Sequence, residues 1–331
     1  MKTTQVLLAR RPTGMASAED FSIQTTKLPA PGEGQLLIRV HYISLDPAMR
    51  GWMNAGTTYI PGVELGAVMR AFAAGEVVES RHPDYRAGQF VTGLLGAQTY
   101  AVSDGRGLTL IPAVGDRLSL HLGVLGMPGM TGYFGLLERG RPEAGQTVFV
   151  SGAAGIVGST VGQIARIRGC RVVGTAGSDA KCRYLTEECG FDAAINYKTE
   201  NVDEALGTHC PDGIDVFFDN VGGPLLDTAL KHLARGARVV ICGAISQYNE
   251  KSFYGPRNYL KIVTARGTMT GIIVFDFRDR YPEAVDDLTR WINAGQLAVR
   301  EDIDEGIANF PATLTKLFTG ENFGKLLLKV N

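Results

Sequence analysis

The sequence predicts an α/β chain of two domains, a mostly β domain followed by a doubly wound parallel sheet. Three observations carry this expectation. Residues 147–177 (TVFVSGAAGIVGSTVGQIARIRGCRVVGTAG) read as strand, glycine-rich turn, helix and strand. Further continuous apolar runs follow at 193–197, 215–220, 238–242 and 269–275, the signature of parallel strands buried on both faces. Residues before 123 break instead into short β runs punctuated by Gly, Pro, Asp and Asn, the pattern of a compact barrel-like domain.

In chain order, the short β runs are 6–9, 35–40, 63–69, 76–79, 89–93 and 99–102, with turn clusters at 31–34 (PGEG) and 104–107 (DGRG). Helical periodicity begins near 121–124, which marks the domain boundary. Residues 122–137 read as a helix broken by the Pro128-Gly129 pair. At 147–150 comes the β-rich run, at 151–158 the turn, and then Val157, Val161, Ile164, Ala165 and Ile167 at helix spacing. Gly169 closes the helix, and 171–175 is the next strand.

This βαβ unit with glycines at its first turn is the arrangement that holds a dinucleotide pyrophosphate, and the domain reads as a Rossmann fold. Helix-start N–H groups lack intrahelical partners and point at the ligand, while glycine lets the backbone come close. The turn spells A-A-G-x-V-G, with alanine where the commonest form has glycine. NAD-binding relatives of this fold usually end the second strand with an acid that grips the ribose 2′-hydroxyl. Here 174–178 (GTAGS) carries none, and Lys181 follows one helical turn later. A missing acid and an added cation suit a 2′-phosphate, so NADPH is the expected cofactor.

Helices are expected at 179–189, 225–233 and 283–294, and a last strand at 325–330 that returns to the first domain. The expected domains are therefore 1–123, with 296–331 returning to it, and 124–295. In an open parallel sheet the ligand lies beyond the carboxyl ends of the strands. Three such ends, at Asn220, at 242–248 and at 271–274, together suggest a cofactor wall.

Composition narrows the alternatives. A chain of 331 residues has room for two cores. Lys plus Arg number 33 against 34 acids, which gives no basic field for nucleic acid or an anionic membrane. No apolar run approaches the roughly 20 residues of a membrane span. The first residues lack the apolar core of a signal peptide, so a cytoplasmic protein is expected. Cys170, Cys182, Cys189, Cys210 and Cys242 form no Cys-x-x-Cys pair, and the five histidines show no ligand spacing. Neither a disulfide framework nor a metal site is expected.

Segments 44–51 (SLDPAMRG), 122–131 (LGVLGMPGMT), 153–158 (AAGIVG), 176–181 (AGSDAK), 219–223 (DNVGG), 242–249 (CGAISQYN) and 322–325 (NFGK) carry a resemblance over essentially the whole chain. On them the protein resembles the zinc-independent medium-chain dehydrogenases/reductases, within the leukotriene B4 dehydrogenase, prostaglandin reductase and alkenal double-bond reductase branch. The resemblance implies a GroES-like catalytic domain joined to a Rossmann domain, a homodimer, and NADPH-dependent reduction of the activated double bond of an α,β-unsaturated ketone or aldehyde.

By the same resemblance Gly155, Ile156, Val157 and Gly158 would hold the pyrophosphate, and Ser178, Lys181 and Tyr197 the 2′-phosphate end. Asn220, Cys242, Gly243, Ala244, Ile245, Ser246, Gln247, Tyr248, Ile272, Ile273, Val274 and Asn322 would line the ribose and nicotinamide. Conjugate reduction needs a hydrogen bond to the enolate oxygen and a proton for the α-carbon. Tyr248 or the cofactor ribose is expected to supply the first and Tyr59 the second. Relatives tend to carry Tyr at Ala48, Arg or Ala at Trp52, and Gly-Trp-Gln at Gly96-Ala97-Gln98, which points to a reshaped substrate pocket. A quinone reductase of the same superfamily and a non-catalytic NADPH-binding protein are the alternatives.

Overall fold

The structure, a computed structural model, describes residues 1–56, 59–112 and 115–330. Thr57 and Thr58, which precede Tyr59, lie outside the described residues. The chain divides into two compact units, Met1–Gly123 with Glu301–Asn331, and Val124–Arg300.

The first unit opens with β1 (Lys2–Leu8), β2 (Phe21–Lys27), β3 (Leu36–Ser44), the short helix α1 (Ala48–Trp52), β4 (Ala73–Ser80), β5 (Phe90–Gly93), β6 (Tyr100–Ser103) and β7 (Thr109–Ile111). The second unit comprises α2 (Met127–Phe134), β8 (Thr147–Val150), α3 (Ile156–Ile167), β9 (Arg171–Ala176), α4 (Asp179–Arg183), β10 (Ala193–Asn196), α5 (Val202–His209), β11 (Ile214–Asp219), α6 (Gly223–Ala229), β12 (Leu233–Ile241), α7 (Lys261–Ala265), β13 (Thr268–Gly271) and α8 (Tyr281–Asn293). The chain then re-enters the first unit as β14 (Glu301–Glu305), α9 (Phe310–Thr319) and β15 (Lys325–Lys329).

In the first unit β1 and β2 form an antiparallel ribbon, and the main sheet runs β14-β15-β3-β4-β5-β7 with β6 paired to β3. Its core gathers Leu36, Ile38, Val40, Val77, Val91, Phe310 and Leu328. In the second unit six strands lie parallel in the order β10-β9-β8-β11-β12-β13. That order reverses between β8 and β11, and a ligand crevice opens at such a reversal. Phe149, Val173, Ile195, Phe217 and Val239 pack one face of this sheet.

Several expectations need correcting. Residues 63–69 form no strand: Gly66 turns the chain at φ +79°, and Val68 makes only an isolated bridge to Leu7. The Pro128-Gly129 pair starts a helix rather than breaking one, since Pro128 sits in the first turn of α2, where the missing N–H costs nothing. Gly129 is demanded there because a Cβ would lie 1.7 Å from the Val124 carbonyl oxygen. The sixth strand stops at Gly271 and a 3-10 helix begins at Val274. Among the described residues no helix is long and apolar enough to cross a membrane.

Candidate functional site

The carboxyl ends of the parallel strands bring most of the sequence-predicted residues to one edge of the second unit. α3 starts at Gly155, whose φ −76° and ψ 163° are those of an N-cap, and no side chain caps it. Its first-turn N–H groups, from Ile156 onward, are thus left for a ligand. The two glycines differ in their demands. A Cβ on Gly158 would lie 2.6 Å from the Gly152 carbonyl oxygen, so that glycine packs the helix onto the turn. A Cβ on Gly155 would meet nothing closer than 3.5 Å. Here the missing side chain keeps space open in front of the helix start.

At the ends of β9 and β10, Ser178 caps α4 by accepting the Lys181 N–H at 3.3 Å. Tyr197 is exposed, and its hydroxyl lies 2.7 Å from where a Cβ on Gly177 would stand. Lys181 is half-buried. A cation and a phenol beside a bare backbone suit a phosphate. The acid missing from the strand end itself appears one step later: Asp179 heads α4, with its Oδ1 accepting from Asn196 Nδ2 at 2.6 Å.

On the other side of the reversal, Asp219 ends β11 fully buried. Its Oδ1 accepts from Ser151 Oγ at 2.7 Å and from the Val221 N–H at 3.0 Å, and both oxygens accept from the Gly222 N–H at 3.1 Å. Burial pushes this carboxyl above the usual carboxylate range, and the Ser151, Gly222 and Val221 donors only partly offset it. Asn220 donates its backbone N–H to Ser151 Oγ and its Nδ2 to the Ser151 carbonyl, both at 2.8 Å. Its amide nitrogen therefore stitches β8 to β11, and Oδ1 is the part left to accept from a ligand.

The shelf after β12 is fixed by the same turn. The N–H groups of Cys242 and Gly243 donate to the Asp219 carbonyl, Ile245 N–H to Asn220 O, and Ser246 N–H to Val221 O. Burial, helped by the Asp219 charge, pushes the Cys242 thiol up to about 12, so it stays protonated and is no nucleophile. Ser246 Oγ donates to Val221 O at 2.7 Å, and Gln247 accepts the Tyr254 N–H at 2.8 Å. These two side chains serve the scaffold. The Tyr248 hydroxyl accepts from the Ala244 N–H at 3.2 Å and lies 2.9 Å from the Cβ position of Gly243. After β13, Ile272 and Val274 are buried while Ile273 is exposed.

Tyr59 and Asn322 belong to the first unit. Tyr59 is half-exposed, and its hydroxyl accepts from Trp52 Nε1 at 3.3 Å. Trp52 is buried beneath the Arg70 guanidinium, 5.6 Å from its ring centre. Asn322 Nδ2 donates to Gly324 O at 3.3 Å. Gln98 accepts from Gln5 and donates to Leu95 O, both at 2.7 Å, so its side chain is committed to β1 and its own loop.

Sequence reasoning missed Ser151, Asp219 and Asn196 as builders of the site. The motif around 219–223 carried a signal for Asp219, but its bonds to a serine 68 residues earlier become visible only once β8 and β11 are neighbours.

Residues 4–111 match a family described as the N-terminal domain of oxidoreductase, and residues 157–290 one described as zinc-binding dehydrogenase. Zinc finds no donor set here: among the described residues no three His, Cys, Asp or Glu stand together, and burial raises every cysteine thiol. The chain is 41% identical to the NADPH-dependent curcumin reductase of Escherichia coli over 330 residues, 98% of this chain and 96% of that one. It is 40% identical to prostaglandin reductase 1 of Rattus norvegicus, covering 96% and 95%. A solved structure of CurA from Vibrio vulnificus in complex with NADPH superposes with a TM-score of 0.95 at 39% identity, covering 99% of each chain. Matched in both halves and along nearly its whole length, the chain belongs to the medium-chain dehydrogenase/reductase family, in the branch of the curcumin and prostaglandin reductases.

Proposed function

We propose that this protein uses NADPH to reduce the activated carbon–carbon double bond of α,β-unsaturated ketones or aldehydes. The observation that carries the reading is Tyr248. Its oxygen accepts the Ala244 N–H, which fixes the phenol on a glycine-alanine shelf at the edge of the cofactor crevice. NADPH supplies a hydride when bound. Gly155, Ile156, Val157 and Gly158 hold the pyrophosphate, Ser178, Lys181 and Tyr197 the 2′-phosphate end, and Asn220 with the 242–248 and 272–274 segments orients the remainder, joined by Asn322. Tyr248 donates to the oxygen on which negative charge gathers, a contact worth most in the transition state. Tyr59 delivers the proton to the α-carbon. Its oxygen accepts from the Trp52 indole, which positions the phenol.

The reading includes a cytoplasmic homodimer that needs no zinc. Five free cysteines suit a reducing compartment. β13 is an edge of the parallel sheet, and exposed Tyr259, Leu260, Val263 and Met269 lie on or just before it. That unpaired apolar edge supports pairing with a second copy, and a one-chain mass in sedimentation velocity would remove it.

The test of the chemistry follows a label. With deuterium on the transferring face of NADPH and an enone as substrate, the label is expected on the β-carbon with the carbonyl intact. Tyr248→Phe is expected to lower kcat more than it raises KM. Deuterium on the carbonyl carbon, giving an allylic alcohol, would overturn the double-bond reading, and turnover of quinones alone would replace it with a quinone reductase.

A further inference from the structure

The 2′-phosphate end holds more than the lysine and tyrosine legible in the sequence. Tyr197 Oη lies 2.7 Å and Lys198 Cε 3.4 Å from the Cβ position of Gly177, so a phenol and a second lysine stem converge on one bare stretch of backbone. Lys198 is exposed. Asp179 is the one carboxylate in 177–183 and stands exposed at the head of α4. A carboxylate at such a place accepts from a ribose 2′-hydroxyl and repels a 2′-phosphate. Asn196, buried at the end of β10, engages it from below through Nδ2 at 2.6 Å. The Asn196 backbone N–H also donates to Glu200 Oε1 at 2.7 Å, and Asn196 Oδ1 accepts the Lys198 N–H at 3.2 Å. One buried carboxamide thereby ties down the Asp179 carboxylate and fixes the backbone that carries Lys198.

We propose that Asn196 and Lys198 set selectivity for the 2′-phosphorylated cofactor. Lys198 is a second cation of the phosphate site, and Asn196 is a positioning residue that turns the Asp179 carboxylate away from the ribose. This rests on the NADPH reading above and names the residues that enforce it. Sequence shows Lys198 only as the neighbour of Tyr197. The Asn196–Asp179 bond joins residues 17 apart that only the β9–β10 pairing brings together.

The test uses the whole chain and two probes, 2′,5′-ADP and 5′-AMP, as competitors of NADPH. Lys198→Ala, at an exposed position, is expected to weaken 2′,5′-ADP about tenfold, the scale of one charge-assisted contact, and to leave 5′-AMP unchanged. Asn196→Leu is expected to lower the ratio of kcat/KM for NADPH over NADH, and Asp179→Asn added to it to restore that ratio. A merely structural asparagine would move both cofactors together and gain nothing from the second change. Equal loss of both probes in Lys198→Ala, or a ratio that Asp179→Asn does not restore, would overturn the inference. A wild-type protein that binds 2′,5′-ADP no better than 5′-AMP would instead remove the NADPH reading and this inference with it.

Discussion

Asp46 in the first unit and Asp219 in the second are both buried, 5% and 0% exposed, yet they are held in opposite ways. Asp46 faces Lys325 Nζ at 2.9 Å, and that ammonium also donates to Leu45 O at 2.9 Å. Ser44 Oγ completes the cluster at 2.5 Å. Asp219 has only neutral donors, a hydroxyl and two backbone N–H groups. The first arrangement joins the end of β3 to the start of β15 with a full ion pair. The second leaves a carboxyl whose ionisation is disfavoured where the parallel sheet reverses. A buried charge with a countercharge is a fastener. One with neutral donors shapes a turn, here the Asn220–Gly222 turn at the crevice, at some expense of stability.

Removing the fastener is the largest expected effect. Lys325→Met leaves Asp46 buried without its cation, and breaking one side of such a pair costs about 3–5 kcal/mol. Glu301 adds to the penalty: burial already raises its carboxyl, and the Lys325 charge is one of the two influences that lower it. Urea denaturation is the measurement. Adding Asp46→Leu to Lys325→Met is expected to recover much of the loss, because it removes the orphaned charge. A double variant as unstable as the single one would mean that packing, not the pair, holds β15 to β3.

The same contrast explains what the sequence made legible. In the second unit the central strands are buried on both faces, as at 148–150 and 216–219, so there they read as unbroken apolar runs. The turn between β8 and α3 has a fixed length and a residue pattern with a mechanical meaning. In the first unit the signals are weaker. β14 is EDIDE, four acids around one isoleucine, and no alternation betrays it as a strand. It exists because β15 pairs with it in parallel and because Lys316 and Lys329 neutralise Asp304 and Glu305. β2 is exposed along most of its length and is held by its register with β1. Residues 63–69 carry apolar side chains but turn at Gly66. The candidate site residues were legible where a motif carries its own chemistry, as with Gly155 and Lys181. They were hidden where the chemistry is a contact between strands, as with Ser151 and Asp219 or Asn196 and Asp179.

The smaller expected effect belongs to Asp219, and its sign separates the two carboxylates. Asp219→Asn keeps an acceptor for Ser151 Oγ and the Val221 N–H, but sets an amide N–H₂ where Oδ2 faced the Gly222 N–H. The cost of that mismatch is about 1 kcal/mol. The folded-state pKa of Asp219 is raised by burial, so the folded protein binds this proton more tightly than the unfolded chain does. The contribution of Asp219 to stability is therefore full below the ordinary carboxylate range and is lost as pH rises through the folded value. The variant has no such titration, and the other groups titrate alike in both proteins. Wild type is thus expected to lead the variant most at acid pH, with the gap narrowing as pH rises, read as urea midpoints at stepped pH. A gap that widens with pH would mean that Asp219 is stabilised as an anion when folded. It would then behave as a paired carboxylate does, and the contrast with Asp46 would fall.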